Sequence, residues 1–170
     1  MNKINISYLN LAAQSPSLEL NLALSEKIHL ENNRTKHLFF MCNGALTSCS
    51  VNILNKKSIC AICKHKAKKG FKIFKQRNPN SELVKITRDD IIKNSNKDHI
   101  NKNLNDELLL GVHSTIGSQL RLDDMNLLDK RWKKIKDRMY MSSIGLFNYF
   151  NKFFNSNNVN NFIFFNGRLS

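Results

Sequence analysis

The residues with the most chemistry in them are four cysteines. Cys42, Cys49, Cys60 and Cys63 fall within "MCNGALTSCSVNILNKKSICAICKHKAKKG", Met41 to Gly70, and are all the cysteines of the chain. A C-x2-C step lets two thiolates of one turn face a single ion, and four sulfurs complete a tetrahedral structural zinc shell. The Cys42-x6-Cys49 pair is wider than the usual two to four residues, and His65 is a candidate substitute ligand. Lys56, Lys57, Lys64, Lys66, Lys68 and Lys69 would favour thiolate over thiol. Buried core thiols, a Cys60/Cys63 redox pair, two disulfides and a four-iron cluster are the competing readings.

Such residues act only if a fold positions them. With 170 residues, 41% hydrophobic and eleven Phe, the chain can build one globular domain, read as spanning 1–170. "INISYLNL", Ile4 to Leu11, alternates as a short strand does. "SLELNLALSEKIHLENN", from Ser17, carries Leu18, Leu22, Leu24, Ile28 and Leu30 near a helical period to about Asn32. "TKHLFFMC" reads as a buried strand, so the chain opens a βαβ unit. Asn43-Gly44 marks a turn, and Ser58 to Phe74 reads as a Lys-rich helix stopped by Gly70. "KQRNPNSEL" reads as a loop, and Thr87 with Asp90 as a capping box opening a short helix.

Further on, "NSNKDHINKNLN" is polar and expected to be exposed, and "DELLLGVHSTIGSQLRL" is a helix whose Gly111, Ser114, Gly117 and Ser118 invite close packing. Met125 to about Phe154 fits one long amphipathic helix. Asn155 to Asn161 is a linker by composition, followed by a second apolar run, Phe162 to Phe165, closed by Asn166-Gly167-Arg168. A buried parallel strand is normally followed by a covering helix, so the sheet is expected to be truncated after this last strand. The expected fold class is therefore α/β, a Rossmann-like parallel sheet flanked by helices.

Lysine and arginine total 27 against 13 acids, a formal charge of +14, which calls for an anionic partner. No signal peptide or spanning segment is legible, and the chain is read as cytoplasmic, where thiols are free or metal-bound. A P-loop and a G-x-G-x-x-G are absent, and His113 among Ser114 and Thr115 lacks the elbow of a serine hydrolase. Asp89-Asp90 and Asp123-Asp124 read as helix caps.

The order of these pieces carries a resemblance. A strand ending in "CNGAL…C", a later C-x2-C on a basic helix, and a final strand ending in "FNGR" resemble the N-terminal domain of bacterial surface-polysaccharide glycosyltransferases of the capsule or O-antigen GT-B type. The resemblance implies sugar transfer to a glycan or lipid-linked glycan acceptor, with Asn43, Gly44, Asn166, Gly167 and Arg168 at the substrate. It also implies a nucleotide-sugar held by a C-terminal domain in another chain, so this chain alone would be inactive. Structural zinc on Cys42, Cys49, Cys60 and Cys63 would staple the 42–63 loop. An anionic membrane surface at the inner membrane is a compatible partner. The other class is a basic zinc-binding module on nucleic acid: Lys56 to Arg77 holds nine Lys and Arg and no acid, but lacks interleaved surface aromatics beyond Phe71 and Phe74. Nucleic acid is accordingly disfavoured.

Overall fold

The structure, a computed structural model, describes residues 3–31, 35–97, 100–121 and 129–164. It is an α/β layer built on four parallel strands, β1 (Ile4–Tyr8), β2 (Lys36–Cys42), β3 (Glu82–Ile86) and β4 (Val159–Phe164), in the spatial order β3-β2-β1-β4. The expected parallel sheet holding both apolar runs is thus present. Helices α1 (Ser17–Glu31) and α2 (Lys57–Arg77) lie on one face, and α3 (Arg88–Lys93), α4 (Lys102–Leu120) and α5 (Lys130–Ser156) connect β3 to β4 on the other. No helix among the described residues is long and apolar enough to cross a membrane.

Strand alternation distributes the core. Ile6, Tyr8, Leu38 and Phe40 point to one side, where Phe150 of α5 seals them. Phe39 and Met41 point to the other and meet Leu18 of α1 and Ala67 and Phe74 of α2. This two-sided burial is why "LFFM" is unbroken rather than alternating. A third cluster, Val112 and Ile116 against Ile135, Met139 and Ile144, joins α4 to α5.

Several local expectations are corrected. Gly70 does not stop α2 but lies inside it, where an added Cβ would stand 2.8 Å from Leu22 Cδ1. The helix ends instead at Asn78, whose backbone N–H and side-chain amide both donate to the Phe74 carbonyl at 3.0 and 3.2 Å. Gly111 has no atom within 4 Å of an added Cβ, so the small residues of α4 produce no close approach there. The close contact is at Gly145 of α5, where an added Cβ would fall 2.6 Å from the Ile91 carbonyl oxygen. Asn148, one turn on, donates to the Asn94 and Asn96 carbonyls at 2.8 Å and ties α5 to the end of α3.

The loop read over "KQRNPNSEL" is corrected at both ends, since Lys75 to Arg77 finish α2 and Glu82 and Leu83 begin β3. Its five residues show only partial alternation because it lies at the sheet edge and Lys85 faces out. The 155–161 linker is likewise corrected: Asn155 and Ser156 finish α5, and β4 begins at Val159. Backbone pairing to β1, with Ile4 opposite Val159 and Ser7 opposite Ile163, recruits those asparagines into the ladder whatever their propensity. As an edge strand, β4 buries Ile163 but leaves Phe162 and Phe164 on the α5 side partly exposed. The start of the long helix at Met125 lies outside the described residues, as does Asp123-Asp124.

The capping box is present. Thr87 Oγ1 accepts from the Asp90 N–H at 3.3 Å while Asp90 Oδ2 accepts from the Thr87 hydroxyl at 2.6 Å and the Thr87 N–H at 2.8 Å, and these two bonds, the hydroxyl's foremost, hold the Asp90 carboxyl below its usual range. Thr87→Ala should cost about 1 kcal/mol in urea unfolding, the typical loss for an N-cap hydroxyl.

Candidate functional site

All four cysteines meet at the carboxyl end of the sheet. Cys42 closes β2, Cys49 sits in the β2–α2 loop, and Cys60 and Cys63 occupy the first turns of α2. Together with Tyr8, at the end of β1, they wall one cavity of ≈ 190 Å³, completed by apolar side chains including Leu46 and Leu146. β1 is the strand from which the order runs both ways, and open α/β sheets take ligands beyond their carboxyl ends near such a point.

The loop is held from both sides. Gly44 takes φ +78°, a conformation L side chains resist, and turns the chain away from β2. The Asn43 N–H donates to the Ile86 carbonyl of β3 at 3.0 Å. Thr47 bonds Ser142 of α5, its N–H donating at 3.2 Å and the two hydroxyls lying 2.9 Å apart. Sequence reasoning missed Asn52, which is the latch. It bridges back to Cys49 through its backbone, and its side chain accepts from the Lys56 N–H at 2.7 Å and donates to the Lys56 carbonyl at 2.8 Å. Its amide also reaches Cys60 Sγ at 3.1 Å. An Asn five residues before a helix is a weak signal, since its partners are known only once the loop closes.

The electrostatics differ from expectation. Burial pushes the Cys49 thiol up to about 11, with Cys42 and Cys60 adding to the shift. Burial raises Cys63 as well, and it raises Tyr8 far more, with three of the thiols contributing. The lysines of α2 do not reverse this, because they project from the helix while the thiols face inward. Among the described residues no charged side chain lines the cavity. Among the described residues no three or more His, Cys, Asp or Glu side chains form a group that could hold a metal ion. The four cysteines share a cavity wall as free thiols. C-x2-C spacing puts two sulfurs on one turn; it does not bring in Cys42 and Cys49 at bonding distance.

Asn166, Gly167 and Arg168 lie outside the described residues. The described end of β4, Phe164, pairs with Tyr8 at this same sheet edge. His113 is half-buried on α4 with burial lowering its pKa, and Thr115 spends its hydroxyl on the Gly111 carbonyl at 2.9 Å. Neither belongs to the cavity.

A separate polar cluster lies under α1. Ser7 Oγ is 2.6 Å from Ser25 Oγ and 2.7 Å from His37 Nε2, and all three residues are buried. It has the composition of a nucleophile and base but no opening to substrate, so it acts in the core. Compared with known proteins, the chain matches no family model, no curated protein and no solved structure.

Proposed function

We propose that the chain is the acceptor-side Rossmann-like half of a glycosyltransferase-type protein of surface-polysaccharide synthesis. In this reading the strand-end cavity receives an uncharged part of a glycan or lipid-linked glycan acceptor. The nucleotide-sugar is held by a separate donor domain.

The observation that carries the reading is an uncharged cavity at the ends of β1 and β2, walled by the Cys42–Gly44 turn. A nucleotide diphosphate needs cations or a glycine-rich helix start to meet its charge. Among the described residues the cavity provides neither, whereas an apolar or hydroxyl-bearing acceptor group suits its wall of leucines, thiols and Tyr8. The roles left to the chain's own residues are to shape the acceptor pocket and exclude water, with Asn52 fixing the loop.

Alkylation by N-ethylmaleimide tests this. At pH 8 Cys49 should react more than tenfold slower than glutathione, since a pKa of about 11 leaves little thiolate. Alkyl or p-nitrophenyl glycosides should slow Cys49 and Cys63 further, and uridine diphosphate should not. Equal protection by the nucleotide would transfer the site to the donor and sink the acceptor assignment. The nucleic-acid alternative rests on the basic face of α2, which the next inference addresses.

A further inference from the structure

The nine Lys and Arg between Lys56 and Arg77 are unaccompanied by any acid, and α2 carries eight of them. On the same helix Ile62 and Ile73 are 51% and 52% exposed. Eleven residues separate them, about three turns, so they lie on one stripe, with Lys69 between them and Lys72 on the next. The roll of α2 that displays this stripe is fixed from below. Ala67, Gly70 and Phe74 are buried on the inner side of the helix, which leaves the isoleucines facing outward.

We infer that the outer face of α2 seats the protein on an anionic phospholipid surface. Exposed Lys68, Lys69 and Lys72 meet the headgroup charge. Their aliphatic stems lie along the isoleucines, which enter the headgroup–acyl boundary. Charge complementarity alone would serve a phosphate backbone equally well, and the isoleucines decide between them. Apolar side chains contribute nothing to phosphate contacts, and nucleic-acid grooves instead present aromatic platforms. Here Phe74 is buried and Phe71 half-buried, packed against Phe39. Of the other cations, Arg77 is paired with Glu26 at 2.9 Å and the Lys66 ammonium donates to the Ala13 carbonyl at 3.2 Å, so both belong to the packing of the layer.

Co-sedimentation of the full chain with vesicles is the test. Binding is expected to phosphatidylcholine vesicles containing roughly one third phosphatidylglycerol, not to phosphatidylcholine alone, and to weaken as salt shortens the screening length. Ile62→Ser/Ile73→Ser should lower the partition coefficient at least tenfold while leaving the melting temperature unchanged, as both residues are exposed. The proposal is overturned by no binding to anionic vesicles, or by equal binding of the serine variant. It is equally overturned by a random DNA duplex binding more tightly than the vesicles with the isoleucine replacements immaterial. The inference is independent of the acceptor reading, because glycoside protection of the thiols and vesicle binding are separate measurements on separate faces.

Discussion

Gly145→Ala is expected to destabilise the protein by about 3 kcal/mol, the upper range for overpacking a tight interface. The added methyl would stand 2.6 Å from the Ile91 carbonyl oxygen, 2.7 Å from Ile91 Cγ2 and 2.8 Å from Ser95 Oγ. None of these can withdraw cheaply. The carbonyl is backbone at the end of α3 and already accepts the Ser95 hydroxyl at 2.6 Å, so relief requires α3 and α5 to part. That separation would also strain the Asn148 bonds to Asn94 and Asn96. Gly70→Ala is the control. Its nearest clash is a leucine methyl that can rotate, and the roughly 1 kcal/mol gained in helix propensity offsets much of the crowding. Chemical denaturation of both variants checks the contrast, and a Gly145→Ala protein as stable as the parent would show that α3 does not press on α5.

The second large effect is a loss of stability in acid centred on His37. This imidazole is 1% exposed, stacked on Phe39 with ring centroids 4.6 Å apart, and bonded to Ser7. Burial, together with the neighbouring His29, lowers its pKa from 6.5 to about 4. A depressed histidine pKa means that the unfolded chain binds the proton first. Stability from this group is therefore full above about pH 6.5 and declines as pH falls towards 4, by about 3 kcal/mol in all. Urea midpoints at a series of pH values should show that slope, and His37→Gln, which removes the titrating group, should flatten it even if it lowers stability throughout. A parent profile flat between pH 7 and 4 would contradict the buried neutral imidazole.

Much of this architecture is written in local pattern. The apolar run of β2 matches strand burial on two faces and Thr87 with Asp90 matches a cap, since each depends on forces acting within a few residues, whereas α1 starts at Ser17 as expected but buries Ser17, Leu18, Asn21 and Ser25 and leaves Leu24 and Leu30 exposed. Short-range steric preference and amphipathic period suffice for the strand and the cap. They do not suffice for β3, whose identity comes from its bonds to β2, or for β4, whose asparagines enter the sheet because β1 offers a free edge.

The candidate site divides the same way. From composition and spacing alone the chain determined a cysteine-bearing loop at a strand end beside a basic helix, because a buried strand must be followed by a turn and the charges are fixed by residue type. Only the tertiary structure decided what the cysteines do there. The positions of β1, β2, α2 and α5 set four thiols and Tyr8 around an uncharged cavity without gathering a metal-ligand group. They also put Ser7, Ser25 and His37 out of reach of any substrate and turned Ile62 and Ile73 outward on a lysine-rich face. Spacing fixes how far apart side chains are along the chain. Which of them meet, and whether water or lipid reaches them, follows from how helices and strands pack, and that is settled by contacts between residues distant in sequence.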